Sequence, residues 1–212
     1  MDILAQIADQ LQCGDEDQVA QLTQQAIQDR IGPKTILDDG LIAGMTMVGE
    51  QFKAHEIFLP EVLMAAKAMY AGMDKLKPLL AQEGVPSLGK VVLGTVQGDL
   101  HDIGKNLVGI LLRGVGFEVI DLGNDVTPER FVQTAIEQNA PVIGMSALLT
   151  TTMPVMAGVV NLLKEQGLAG KIKTLVGGAP VSSKFARQIG ADAHGFDAAN
   201  AVDRVKALLS EN

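Results

Sequence analysis

Apolar positions recur along this chain with two different periods. From Met1 to about Gln82 the spacing is helical: Ile3, Leu4, Ile7 and Leu11 make one stripe, and Val19, Leu22, Ala26 and Ile27 make another. Gly32-Pro33 interrupts the pattern, and Ile36, Leu37, Leu41 and Met45 carry a third helix toward Phe52. A fourth helix starts near Leu59-Pro60, with the proline in the first turn, where its missing N–H is no loss. Helices joined by short connections predict a small bundle. Gly84-Val85-Pro86-Ser87-Leu88-Gly89 reads as a linker.

After Lys90 the period changes. Short apolar runs at Val91–Val96, Glu118–Leu122, Val142–Ser146 and Lys173–Val176 alternate with helical stretches at Ile103–Val115, Pro128–Asn139, Thr152–Glu165 and Ser182–Ile189. Ala193-His194-Gly195 supplies a short fifth strand, and Ala199–Leu209 a last helix. Such alternation predicts right-handed crossovers and a parallel sheet covered on both faces. The expected architecture is α/β: a helical bundle over residues 1–86, then a five-stranded doubly wound parallel sheet over residues 89–212.

Composition narrows the classes. Of the 212 residues 47% are hydrophobic but only 3% aromatic, with no Trp, so nine Met and the aliphatic residues must fill the core. The net charge of −8 and the lack of a basic cluster exclude nucleic acid and anionic membrane as main partners. No apolar run reaches membrane-spanning length, and the N-terminus has no basic leader-like region. The single cysteine, Cys13, excludes an internal disulfide framework and fits the cytoplasm; with no His near it in sequence it reads as a bystander thiol.

The candidate chemistry lies in loops that leave the carboxyl ends of strands, where ligands bind in open parallel sheets. After the first strand comes Gly98-Asp99-Leu100-His101-Asp102-Ile103-Gly104-Lys105-Asn106. Its histidine is placed to ligate a metal, with a carboxylate two residues away to orient the ring. The third strand is followed by Ser146-Ala147-Leu148-Leu149-Thr150-Thr151-Thr152, and the fourth ends in Gly177-Gly178-Ala179-Pro180. These small and hydroxylated residues leave room for a large ligand. Each loop also has a plain reading: a surface histidine, a threonine helix cap, a glycine turn. Neither a Walker lysine motif nor a dinucleotide fingerprint is present. The joint occurrence carries the weight.

Asp99, His101 and Gly104, then Ser146 and Leu148, then Gly177 and Gly178 resemble the three-part signature of cobalamin-binding domains. Such domains occur in methionine synthase, several mutases and corrinoid methyl carriers. Gly49-Glu50-Gln51-Phe52 followed by Ile57-Phe58-Leu59-Pro60-Glu61-Val62 resembles the helical cap of the methyl-transferring members. Together the resemblance covers essentially the whole chain. It points to the small corrinoid proteins of methylamine, methanol, betaine or aryl-ether methyltransferase systems, and to a flavodoxin-like, Rossmann-type cobalamin-binding domain.

The resemblance implies cobalamin or a related corrinoid, present as methylcobalamin in turnover, with its own base detached from cobalt. His101 would be the lower axial ligand and Asp99 would bond its other ring nitrogen. Thr152, where the methionine synthase branch has Ser, would continue that relay. Asp102, Ile103 and Gly104 would belong to the same cofactor contact. Ser146, Leu148 and Thr150 would line a slot for the nucleotide tail, with Gly177 and Gly178 leaving room opposite. Phe52, Leu59 and Val62 would cover the methyl-bearing face, and the linker would be the hinge that moves them. No side chain is assigned a catalytic role. The implied partners are a substrate-specific methyltransferase, an acceptor methyltransferase acting on a thiol or tetrahydrofolate, and a reductive activase. The alternatives are a corrinoid-binding sensor module and the small subunit of an adenosylcobalamin mutase, the second disfavoured by the helical cap; a flavodoxin-like domain would leave the histidine without purpose.

Overall fold

The computed structural model describes residues 2–83 and 87–210. The chain divides into two compact units, the first built from Met1–Pro86 with Gly114–Gly116 and the second from Ser87–Arg113 and Phe117–Asn212. Residues 84–86 of the expected linker lie outside the described residues.

The first unit is helical: α1 (Ile3–Gln12), α2 (Glu16–Gln28), the short α3 (Pro33–Thr35), α4 (Ala43–Lys53) and α5 (Leu59–Glu83). Asp15 starts α2 by accepting the Gln18 N–H at 3.0 Å, and Glu16 and Asp17 put negative charge at the helix's positive end. Along α5 the residues Val62, Ala65, Met69 and Leu76 are fully or almost fully buried. Ile7 and Leu11 of α1, Val19 of α2 and Met45 of α4 are buried as well. Each large side chain buried in this way contributes about 1.5–3 kcal/mol relative to exposure.

One expectation for this unit needs correcting. The periodicity predicts a regular helix from Ile36 toward Phe52, but residues Ile36–Ile42 wind as a π-helix before α4 begins. The wider turn buries Ile36, Gly40 and Leu41 while Met45 and Val48 of α4 stay buried too. Sequence spacing does not distinguish this winding from an α-helix over seven residues.

The second unit alternates strand and helix: β1 (Lys90–Thr95), α6 (Ile103–Gly114), β2 (Glu118–Asp121), α7 (Pro128–Glu137), β3 (Val142–Ser146), α8 (Pro154–Glu165), β4 (Lys173–Gly177), α9 (Ser183–Ile189), β5 (Ala193–Gly195) and α10 (Ala198–Ser210). The five strands are all parallel, as the sequence pattern predicts, and lie in the order β2-β1-β3-β4-β5. Val92, Ile143, Met145 and Val176 pack in one core with Phe131, Met156, Val159 and Leu163 of α7 and α8. The alternate positions Val91, Leu93, Val142 and Leu175 are buried on the opposite face.

Two features of this sheet place the site. Chain order reverses direction between β1 and β3, making a switch point where a crevice opens at the carboxyl ends of the strands. Thr95 pairs with Ser146, Ser146 with Gly177, and Gly177 with Gly195, so four strands end in one row. The loops carrying His101, Thr152, Gly178 and Phe196 all leave from that row.

Candidate functional site

Asp99 is the centre of the site. Its side chain is fully buried at the tip of the β1–α6 loop, and both oxygens are used. Oδ1 accepts the His101 backbone N–H at 3.1 Å and faces His101 Nδ1 at 2.8 Å. Oδ2 accepts the backbone N–H groups of Leu148 at 2.8 Å and Leu149 at 3.0 Å, and lies 2.9 Å from Thr152 Oγ1. That hydroxyl is also 2.9 Å from the Leu149 carbonyl, and its single proton serves one acceptor at a time. Burial by itself would raise the Asp99 carboxyl, but the bonds from His101, Leu148 and Leu149 outweigh it and hold the group well below the usual carboxylate range.

An ionised carboxylate only accepts, so the Asp99 contact puts the ring proton of neutral His101 on Nδ1. The lone pair is then on Nε2. The imidazole is 54% exposed, so the ring is anchored on one side and open on the other. Its backbone is tied as well: the His101 carbonyl accepts the Thr95 hydroxyl at 3.0 Å. Among the described residues no group of three or more His, Cys, Asp or Glu is placed to hold a metal.

The remaining expected residues fall in three places. Asp102 starts α6, its carbonyl accepting the Asn106 N–H at 2.7 Å, and Ile103 and Gly104 are exposed in the first turn. Leu148 and Thr150 are exposed, while Ser146 is half-buried and its carbonyl accepts the Val96 N–H at 3.0 Å. Thr152 is buried and is not the cap of α8: that position is Met153, which makes no side-chain cap bond. The threonine loop is thus tied to Asp99 and not merely to its own helix. Phe52, Leu59 and Val62 belong to the helical unit, where the first two are half-buried and Val62 is fully buried on the α5 stripe.

Gly178 has a reason of its own. Its φ is +119°, and a Cβ there would stand 1.9 Å from the Ala147 carbonyl oxygen. Backbone packing between two loops requires this glycine whether or not a ligand lies beside it.

Two contributions escaped the sequence reading. Leu149 acts through its main-chain N–H, for which no residue-type signal exists. Phe196, 67% exposed on the loop after β5, joins Leu100, Ile103, Leu148 and Leu149 as large apolar side chains left uncovered along this edge. An aromatic directly after a predicted strand was a usable signal.

Comparison with known proteins adds the following. Two B12 binding domain families match the chain, one over residues 89–206 and the other over residues 3–77. The dimethylamine corrinoid protein 1 of Methanosarcina acetivorans is 47% identical over 181 residues, 85% of each chain. Trimethylamine corrinoid protein 1 of the same organism is 42% identical over 98% of this chain and 97% of its own length. Among solved structures, the methanol:cobalamin methyltransferase complex MtaBC from Methanosarcina barkeri contains a chain that superposes with a TM-score of 0.88 at 34% identity, covering 99% of this chain and 80% of that one.

Proposed function

The chain belongs to the B12-binding corrinoid proteins of methyltransferase systems, and from that premise we propose that it carries methyl groups between two methyltransferases on a corrinoid held at cobalt by His101 Nε2. One observation supports this most strongly: the Asp99–His101 contact of 2.8 Å occupies Nδ1 and leaves the exposed ring's other nitrogen as a donor.

When bound, the corrinoid supplies a nucleophilic cobalt that takes a methyl group from one partner's substrate and yields it to the other's. This chain does the rest. Asp99 fixes the tautomer and orientation of His101 and raises its donor strength. With or without a metal at Nε2, the Asp99 carboxylate, held ionised by its N–H donors, would keep Nδ1 as its hydrogen-bond partner. Thr152 Oγ1 secures the far oxygen of that carboxylate. Asp102, Ile103 and Gly104, next to His101 in the chain, would contact the same side of the cofactor. Ser146, Leu148 and Thr150, with Gly177 and Gly178, would border the nucleotide tail. Phe52, Leu59 and Val62 of the helical unit would contribute apolar surface that excludes water from the bound corrinoid. The acceptor is a thiol or tetrahydrofolate, and a reductive activase restores the oxidised protein.

The test is transfer of label. Protein loaded with hydroxocobalamin and reduced is offered 13C-methyl-labelled trimethylamine, dimethylamine, monomethylamine or methanol, each with its own methyltransferase. Label is expected on the protein-bound cofactor with one of these donors. Absence of label with all four, in protein that binds the corrinoid stoichiometrically, would reject carriage of these methyl groups.

A further inference from the structure

The three loops of the sequence signature do not hold His101 alone. The segment between β2 and α7, residues 122–127, runs beside the β1–α6 loop and grips it at successive residues. Asp125 is central. Its carboxylate accepts the Gly98 N–H at 2.7 Å, and its own backbone N–H donates to the Asp99 carbonyl at 3.1 Å. One residue therefore holds the chain at Gly98 and at Asp99, immediately before the carboxylate that orients His101.

The segment is braced on both sides of this grip. Thr95 donates its N–H to the Gly123 carbonyl at 2.9 Å, and its carbonyl accepts the Val126 N–H at 3.0 Å. Asp121, at the end of β2, accepts the Gly123 N–H at 2.9 Å and takes the Lys105 ammonium at 2.7 Å on each oxygen. That lysine side chain is 1% exposed, so α6, β2 and the gripping segment are tied through a buried lysine paired with Asp121. Asp125 itself sits at φ +55°, a left-handed conformation that Asp and Asn tolerate better than other side chains with a Cβ. An exposed carboxylate set in an unfavourable backbone conformation and bonded to the Gly98 N–H is placed to set the direction in which the chain enters Asp99.

We propose that Asp125 is a positioning residue for the axial ligand: by holding the Gln97–Gly98 peptide through its N–H and the Asp99–Leu100 peptide through its carbonyl, it sets the Asp99 carboxylate against His101 Nδ1, and so keeps His101 in the tautomer that presents Nε2. This rests on the ligand role assigned to His101 above, and it concerns a loop outside the signature.

Two variants separate its carboxylate from its backbone conformation. Asp125→Gly adopts φ +55° without strain but has no acceptor for Gly98; Asp125→Asn keeps both an acceptor and left-handed tolerance. The first readout is the tautomer of His101 in the cofactor-free protein, from long-range nitrogen–proton NMR of the imidazole. The second is affinity for hydroxocobalamin. Wild type is expected to show one Nδ1–H tautomer. Asp125→Gly is expected to average the two tautomers and weaken hydroxocobalamin binding about 10-fold or more, while Asp125→Asn behaves as wild type. Asp125→Gly matching wild type in both readouts would overturn the proposal, and so would Asp125→Asn behaving as badly as Gly. The ligand role has a separate failure signature: His101→Ala binding hydroxocobalamin as wild type does, with the same spectrum.

Discussion

Thr152 Oγ1 lies 2.9 Å from Asp99 Oδ2, joining two loops whose residues are 53 positions apart. The contact is buried at both ends, because Asp99 is fully inaccessible and Thr152 is 7% exposed. A hydroxyl bonded to a buried carboxylate contributes more than an ordinary surface hydrogen bond, about 1.5–3 kcal/mol. Thr152→Val keeps the shape and removes the donor, so it is expected to lower the stability of the cofactor-free protein by about that amount. Thr152→Ser is expected to restore most of it. Urea denaturation of the two variants beside wild type checks this, and equal stability of Val and Ser would show that the bond contributes nothing.

Asp99→Asn is expected to be worse than loss of one bond. Each oxygen of Asp99 receives N–H donors, from His101 on one side and from Leu148 and Leu149 on the other. An amide must turn its NH2 toward one of these sets, leaving donor against donor at a cost of about 1–3 kcal/mol. The variant also removes a pH dependence. The folded-state carboxyl is held below its ordinary value, so on acidification the unfolded state takes up the proton first. The stabilisation from Asp99 is therefore complete above about pH 5 and declines steadily as pH falls through the normal carboxylate range and below it. Denaturation curves at pH 7, 5, 4 and 3 should show the wild-type advantage over Asp99→Asn shrinking as acid is added. A constant difference across that range would contradict the ionised, donor-saturated carboxylate.

Two glycines should separate fold from ligand. Gly178→Ala places a Cβ 1.9 Å from the Ala147 carbonyl oxygen at φ +119°, so the cofactor-free protein is expected to lose at least about 1–3 kcal/mol from backbone strain alone. A Cβ on Gly104, in the first turn of α6, meets nothing within 4 Å. Gly104→Ala is expected to leave the cofactor-free protein unchanged or to stabilise it by up to about 1 kcal/mol, through reduced chain entropy. It should nevertheless weaken hydroxocobalamin binding if the cofactor rests on this turn. Thermal melts of the cofactor-free variants and spectrophotometric titration with hydroxocobalamin read the two effects separately; unaltered binding by Gly104→Ala would remove that turn from the cofactor contact.

The strand–helix alternation was legible because a sheet covered on both faces demands continuous apolar runs such as Val91–Val96 and Val142–Ser146. The three loops were legible because their residue types are unusual together. What stayed hidden has common physical causes. Leu148 and Leu149 hold Asp99 through main-chain N–H groups, which every residue but proline possesses. Gly178 reads from sequence as room for a ligand, and only the approach of the Ala147 carbonyl reveals its packing reason. The π-helix over Ile36–Ile42 shifts which residues face inward by a fraction of a turn, too little for a seven-residue pattern to register. Asp125 belongs to a segment with no unusual composition, and its grip on Gly98 depends on parallel pairing between β1 and β2.

The central claim is that His101 Nε2 coordinates the metal. Protein grown with 15N-labelled histidine, loaded with unlabelled cobalamin and reduced to the cobalt(II) state, can be compared with fully unlabelled protein by electron paramagnetic resonance. Each cobalt line is expected to split into a doublet in the labelled protein and a triplet in the unlabelled one, with both patterns lost in His101→Ala. A triplet that persists in the labelled protein would mean that the cofactor's own base, and not His101, is the ligand.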